Sequence, residues 1–293
     1  MPIFVVGCYV YYFLAGIMSG FGQRKYQEIK PSGKNTYNFY STITAIVSVI
    51  NLGIMTGFSP KIDNFVTVIT ALVYAIVCYL NYGVTLRALE RNGVFLTSIT
   101  TKIGTIVLPM LVSGLVLRES VSLFTVGGAV CAIAASLVLV YGKGGAKPDI
   151  YLLCSTVLFA AITVICTKIF VKYCGSEHIV SYCFLINVII LIISVVMLFI
   201  NADKKHLRAE FSCFKPKHYA LVVPIAVLSN LSSYVSKYVL AHVEVITDTV
   251  ITTAVAMLST VLVARFFGEK FGVRHFVSII FALAAAILPI AFV

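Results

Sequence analysis

Residues 178–200 read HIVSYCFLINVIILIISVVMLFI and contain no Asp, Glu, Lys or Arg. A transmembrane α-helix needs about 20 consecutive apolar residues, and this run meets that length. Strands of a membrane barrel would instead alternate in polarity over about ten residues. Runs of similar length recur along the chain, near 3–22, 36–57, 64–86, 93–117, 122–141, 150–171, 178–200, 217–240, 245–267 and 273–293. The sequence therefore predicts an all-α integral membrane protein with ten transmembrane helices.

The composition agrees with this prediction. Of the 293 residues, 60% are hydrophobic and 11% are charged, whereas soluble domains carry about 25% charged residues. Such a chain cannot build a water-soluble surface, which excludes a soluble enzyme. The net charge of +11 comes from basic residues in the short segments between apolar runs, where topology determinants lie. We therefore expect no nucleic-acid partner.

Motifs of catalysis and cofactor binding are missing from the sequence. The eight cysteines and five histidines form no CxxC or Cys/His metal spacing. There is no P-loop, no dinucleotide-binding glycine pattern, and no GxSxG or HExxH sequence, the short motifs that carry those chemistries. We predict that the chain is not an enzyme and holds no cofactor and no metal ion.

The two halves of the chain resemble each other. At an offset of 150 residues, Gly128, Ala132 and Ser136 overlie Ser278, Ala282 and Ala286. Small residues four apart let helices approach closely, so spans five and ten are expected to carry the same packing stripe. The predicted repeats are residues 1–147 and 148–293. Because each contains five spans, the second enters the membrane from the opposite side, and such inverted repeats are a design of secondary transporters.

Short motifs strengthen this interpretation through a resemblance to a known family. They are Ala88-Leu89, Pro109, Arg118-Glu119, Gly127-Gly128 and Gly142, with Ala241 and Glu269 in the second half. They resemble the closing half of an EamA-type repeat, and the whole chain resembles the drug/metabolite transporter superfamily. That resemblance implies ten helices and transport of a small solute. The chain departs from the family pattern in having no Trp in its first helix and Ser259 opposite Pro109.

Charged residues inside predicted spans are the first candidate contacts for a solute. Lys102 lies deep in the fourth span, where a lysine is costly unless it faces a polar cavity or a partner. At an offset of 150, Asp248 overlies Ser98 and Thr252 overlies Lys102. Together these four residues would bind the two charges of a zwitterion such as an amino acid. The alternatives are snorkelling of the lysine and a purely structural ion pair.

Two polar aromatic stripes supply further candidates. Asn81 and Tyr82 lie in the third span, and Asn230 and Tyr234 lie in the eighth. Neighbouring polar residues in both spans follow helical spacing, so each set occupies one helix face. Tyr12 in the first span could add a ring for cation–π contact. The alternative role of these stripes is hydrogen bonding between helices.

The function predicted from these features is secondary transport of a small polar metabolite by alternating access. The expected solute is amino-acid-like, or another zwitterionic or anionic molecule. The first alternative is transport of organic cations through a tyrosine-lined cavity, and the second is a non-transporting scaffold or partner subunit. The expected partners are the solute, a coupled proton or other ion, and the lipid bilayer. No second subunit is needed for this function, so the expected oligomeric state is a monomer.

The distribution of basic residues predicts the orientation. Counted by loop, 16 Lys and Arg residues fall on one side of the predicted spans and 5 on the other. Cytoplasmic loops carry an excess of Lys and Arg. The count therefore predicts a multi-pass protein of the cell membrane with both termini outside the cytoplasm.

Overall fold

The structure is a computed structural model of the full chain. It describes residues 3–29, 34–62, 64–93, 96–97, 100–101, 104, 123–140, 149–175, 177–200, 216–242, 259, 262–268 and 272–291. The long elements in these residues are all α-helices, and we number them in chain order. They are α1 (Ile3–Ile29), α2 (Lys34–Thr56), α3 (Phe65–Asn92), α4 (Leu123–Val140), α5 (Ile150–Cys174), α6 (Ile179–Ile200), α7 (Pro216–His242) and α8 (Val273–Ala291).

The helices have the length and surface of membrane spans. Among the described residues, four helices are long and apolar enough to cross a bilayer, namely α2 from Asn38, α3, α5 and α6, and shorter apolar helical stretches cover Val126–Ala135 and Val222–Ser232. Large apolar side chains such as Ile54, Phe65 and Phe276 are more than half exposed, and lipid is the solvent that suits such a surface. The prediction of an all-helical multi-pass membrane protein is confirmed.

Two helices continue beyond their predicted ends. The apolar runs stop near residues 22 and 86, but α1 ends at Ile29 and α3 at Asn92. Charged residues such as Arg87 and Glu90 end an apolar run without ending a helix, because the backbone hydrogen bonds continue. The actual end of α3 is at Gly93, where φ is +81° and the backbone N–H donates to the carbonyl of Leu89. Glycine adopts this conformation without a steric penalty.

Antiparallel pairs organise the described helices. α1 packs on α7, α2 on α6, α3 on α5 and α4 on α8, and further contacts join α3 to α6 and α2 to α7. In the α3–α5 pair, Thr67 near the start of α3 donates a hydrogen bond to Cys174 at the end of α5. At the opposite end of the pair, the Asp149 backbone N–H donates to Asn92 Oδ1 over 2.8 Å. The two helices are therefore antiparallel over their whole length.

Contacts along one face of each helix join α2 to α6. Asn38 Nδ2 donates to the Met197 carbonyl over 3.4 Å, and the Oγ atoms of Ser41 and Ser194 lie 2.7 Å apart. The partners advance on α2 while they recede on α6, so these helices are also antiparallel. Three further pairs follow from the same register with spacings of three and four residues: Ala45 with Ile190, Ser48 with Asn187, and Leu52 with Cys183.

α4 and α8 pack against each other, and Ser278 of the predicted stripe lies in their interface. Ser278 is fully buried, and its Oγ donates to the Ala135 carbonyl over 3.0 Å. A Cβ added at Gly127 would lie 4.0 Å from Leu288, so the partners again run in opposite directions. The fifth and tenth predicted spans thus each present a packing surface, and in the described residues these surfaces meet.

Close approaches at glycine bring two shorter segments against the bundle. A Cβ at Gly104 would lie 2.8 Å from the Cα atom of Val157 in α5. A Cβ added at Gly16 of α1 would lie 3.0 Å from the Ser259 hydroxyl oxygen, and one at Gly20 would lie 3.3 Å from a methyl group of Val263. The partner residue advances from Ser259 to Val263 as α1 advances from Gly16 to Gly20, so the described residues 259 and 262–266 run parallel to α1.

Candidate solute cavity

A polar cavity lies among α2, α3, α6 and α7. Its empty space is about 380 Å³ when the part open to the surroundings is included. The first and second halves of the chain each contribute two helices to its wall. The lining residues are Tyr40, Thr44, Ala45, Ser48, Tyr82, Asn187, Ile190, Ala226, Ser229 and Asn230.

The described lining residues form a polar wall without a charged side chain. Five of the ten lining residues carry a hydroxyl group and two carry an amide, while none is Asp, Glu, Lys, Arg or His. Polar groups held away from water need hydrogen-bond partners. A cavity of this composition can therefore bind a small solute that offers such partners.

The α2 wall is a stripe with a spacing of four residues. Tyr40, Thr44 and Ser48 share one helix face because residues four apart are neighbours on an α-helix. Thr44 Oγ1 donates to the carbonyls of Tyr40 and Ser41 at 3.0 and 2.9 Å. Ser48 Oγ donates to the Thr44 carbonyl at 2.6 Å. The two hydroxyl groups are thus fixed on their own helix, with their oxygen atoms beside the cavity.

Two asparagines hold the opposite wall in matching conformations. Asn187 Nδ2 on α6 donates to the Cys183 carbonyl at 2.8 Å. Asn230 Nδ2 on α7 donates to the Ala226 carbonyl at 2.7 Å. A backbone carbonyl can only accept a hydrogen bond, so the amide nitrogen is the atom that faces it. In both side chains Oδ1 is directed away from that carbonyl.

A layer of buried polar contacts lies next to the cavity, toward the start of α2. Asn38 accepts a hydrogen bond of 2.6 Å from the Tyr79 hydroxyl through Oδ1. One turn along α2, Ser41 pairs with Ser194. These four residues, which we call the polar layer, are all buried.

The residues predicted from the sequence have different positions relative to this cavity. Tyr82 and Asn230 line it. Asn81 is half-buried on α3 and accepts a hydrogen bond of 3.3 Å from Thr85. Tyr12 on α1 and Tyr234 on α7 are also half-buried and are not among the lining residues. Ser98, Lys102, Asp248 and Thr252 lie outside the described residues.

Most of the lining residues were not singled out in the sequence. Hydroxyl residues are common in helices, where they can bond to their own backbone, so Thr44 and Ser48 do not stand out individually. The signal that could have found them is the polar stripe at 40, 44 and 48. Asn187 is the only amide in an otherwise apolar run of 23 residues, 178–200, and is a similar signal.

Metal-binding chemistry has no candidate in the described part of the chain. No group of three or more His, Cys, Asp or Glu side chains comes together there. The described cysteines, for example the buried Cys8, Cys166 and Cys183, form no disulfide.

Comparison with known proteins finds a family match for the second half of the chain. Residues 147–290 match the EamA-like transporter family, which is part of the drug/metabolite transporter superfamily. No curated protein matches the sequence. The match begins next to the predicted boundary between the repeats, and it confirms the resemblance that the short motifs indicated.

Proposed function

We propose that this protein, a membrane transporter of the EamA-like family, moves a small polar solute across the bilayer by alternating access. The observation that carries the proposal is the cavity. It is polar, it lies between helices of the first half and helices of the second, and it is enclosed by a bundle with an apolar exterior. Secondary transporters bind their substrates at such an interface between repeats.

The pattern of helix contacts supports an inverted repeat. Exchanging the halves exchanges α1 with α5, α2 with α6, α3 with α7 and α4 with α8. The α1–α7 contact then becomes the α3–α5 contact, and the α3–α6 contact becomes the α2–α7 contact. The α2–α6 and α4–α8 contacts each map onto themselves, and all six contacts are observed. A two-fold axis that relates residues 1–147 to residues 148–293 requires every contact to have such a counterpart.

The directions of the helices support the count of ten spans. A chain reverses its direction at each crossing, so an even number of crossings separates two antiparallel spans. Among the described helices, one (α4) lies between the antiparallel α3 and α5, and three lie between the antiparallel α4 and α8. If the chain crosses the membrane once more before α4 and once more before α8, the number of crossings between the helices of each pair becomes even, as their antiparallel directions require. The predicted spans 93–117 and 245–267 supply these two crossings.

The composition of the cavity bears on the solute. An amino-acid-like solute would need the charges of Lys102 and Asp248 in addition to this wall. A scaffold that transports nothing would have no need for hydroxyl and amide groups on four facing helices. The excess of Lys and Arg on one side also supports an orientation in the cell membrane with both termini outside the cytoplasm.

Uptake into vesicles tests the proposal. The purified chain is reconstituted, and radiolabelled amino acids, organic cations and polyols are screened against protein-free vesicles. We expect uptake of at least one solute, and we expect the Asn230→Leu variant to lose it. Ser155→Ala is the control, because the Ser155 side chain donates to the carbonyl four residues earlier, as that of Asn230 does, but lies outside the cavity. Uptake of no solute, or an equal loss in Ser155→Ala, contradicts the proposal.

A further inference from the structure

We propose that the cavity selects its solute by accepting hydrogen bonds, so that it takes an uncharged or cationic solute rich in O–H or N–H groups. The inference rests on the proposed transport function and specifies its substrate class. It follows from an imbalance between the donors and the acceptors that the wall leaves available.

The hydroxyl groups of the wall have already used their protons. Thr44 and Ser48 donate to carbonyls of their own helix, and Ser229 donates to Ser19 Oγ over 3.1 Å. A Ser or Thr hydroxyl has one proton and two lone pairs. Once the proton is committed, only the lone pairs can serve a solute. Three of the five hydroxyl groups in the wall are therefore acceptors toward the cavity.

The amides shift the balance in the same direction. Asn187 and Asn230 each commit one N–H to the carbonyl four residues earlier. Each Oδ1 keeps two acceptor positions, against one remaining N–H. The tyrosine hydroxyls of Tyr40 and Tyr82 can either donate or accept, so they do not reverse the imbalance.

The charge of the wall leads to the same class of solute. With no cationic side chain among the described lining residues, a carboxylate or phosphate would face the oxygen lone pairs of these residues and would lose its hydration. Burying a charge without a partner is costly. A polyol or a primary ammonium instead presents the protons that these oxygens lack. The rings of Tyr40 and Tyr82 also suit a cation.

Matched pairs of probes test this inference by binding to the purified full chain in lipid nanodiscs. The neutral arm compares erythritol with its tetra-O-methyl ether, and the cationic arm compares propylammonium with trimethylpropylammonium. Each pair removes the donors and keeps the acceptor atoms or the charge. Succinate is the acceptor-only anion. We expect at least one donor probe to bind, its methylated counterpart to bind at least about tenfold more weakly, and succinate not to bind. The arm that binds distinguishes a neutral from a cationic solute.

Variants connect the binding to the wall. Asn187→Leu removes an acceptor and should weaken the donor probe about tenfold. Asn187→Asp keeps an acceptor oxygen and should retain the donor probe, with a gain for propylammonium. Ser155→Ala is the unchanged control, and the melting temperature of each variant checks that it is folded.

The possible outcomes separate this inference from the proposed function. Binding of succinate or of a methylated probe as tightly as its donor counterpart overturns the inference, as does failure of both donor probes to bind. Transport of succinate would leave the transport function standing while refuting the selection of donors. Absence of uptake of every solute in vesicles would instead refute the transport function.

Discussion

Ser41 of α2 and Ser194 of α6 hydrogen-bond to each other across the boundary between the two halves of the chain, with 2.7 Å between their Oγ atoms. Both side chains are fully buried. The pair therefore joins helices of the two halves through a polar contact next to the cavity. A transporter that alternates between two conformations must rearrange helices at this boundary, and a hydrogen bond can break and re-form without leaving a void.

Replacing either serine should weaken the bundle, because the remaining hydroxyl loses its buried partner. Interhelical hydrogen bonds in membrane proteins contribute about 0.6 kcal/mol on average and at most about 1.7 kcal/mol. We expect Ser41→Ala and Ser194→Ala each to lower the free energy of unfolding in detergent by about this amount. The double variant should cost less than the sum of the single variants. Strict additivity would show that the two hydroxyl groups do not interact.

Gly104 should tolerate no side chain. A Cβ there would approach the Cα atom and the carbonyl oxygen of Val157 to 2.8 and 2.9 Å, and backbone atoms cannot rotate away. We expect Gly104→Ala to reduce the yield of folded protein and its melting temperature. Gly7→Ala is the matched control, because Gly7 is also helical and has nothing within 4 Å of its added Cβ. Equal melting temperatures for the two variants would contradict the close approach.

Asp149 fixes the start of α5 to the end of α3. We expect its helix cap and its ion pair to contribute different amounts to the free energy of unfolding. Asp149 caps α5 by accepting from the Leu152 backbone N–H at 3.3 Å, and it pairs with Arg91 at 2.7 Å. The Arg91 side chain is 67% exposed, so Arg91→Gln should cost less than about 1 kcal/mol. Asp149→Ala removes the cap as well and should cost about 0.5–2 kcal/mol. Asp149→Asn should keep most of the cap. Chemical unfolding of the three variants measures this order, and a larger loss in Arg91→Gln than in Asp149→Ala would contradict it.

A disulfide should form between α4 and α8 at the position where these helices touch. The Ala135 carbonyl accepts from Ser278, so cysteines at 135 and 278 should cross-link under mild oxidation. Gly128 lies seven residues from Ala135, which is about 10 Å along the helix. A cysteine pair at 128 and 278 should therefore cross-link poorly and serves as the control. A shift in gel mobility after oxidation reports the bond, and preferential cross-linking of the control pair would contradict the register.

The sequence was sufficient for the helices because hydrophobic length decides where a chain crosses a bilayer. The described helices begin within two residues of the predicted spans. Their C-terminal ends were harder to predict, as α3 shows, since a helix ends where its backbone conformation changes at Gly93 and not where the apolar run stops. The contact between α4 and α8 was predictable because small residues four apart leave a recognisable pattern.

The cavity could be predicted only in part. Tyr82 and Asn230 stood out because polar aromatic stripes are unusual in apolar spans. Thr44, Ser48 and Asn187 form hydrogen bonds within their own helices, so their polarity does not distinguish a residue that faces a cavity from one that only bonds to its own backbone. That property depends on the register of α2 against α6, which joins residues far apart in the chain.

Labelling of a cysteine at position 48 tests the central claim most directly. Ser48 lines the cavity and is only 3% exposed in this structure, so it reaches water only when the halves rearrange. The variant Ser48→Cys is prepared without the eight native cysteines, checked for folding, and reconstituted in sealed vesicles. A membrane-impermeant thiol reagent is then added on one side or on the other. Ser59→Cys, at an exposed position beyond the end of α2, is the control that should react from one side only. Alternating access predicts that Ser48→Cys reacts from each side while the vesicles remain sealed. Reaction from one side only, or from neither, would contradict it.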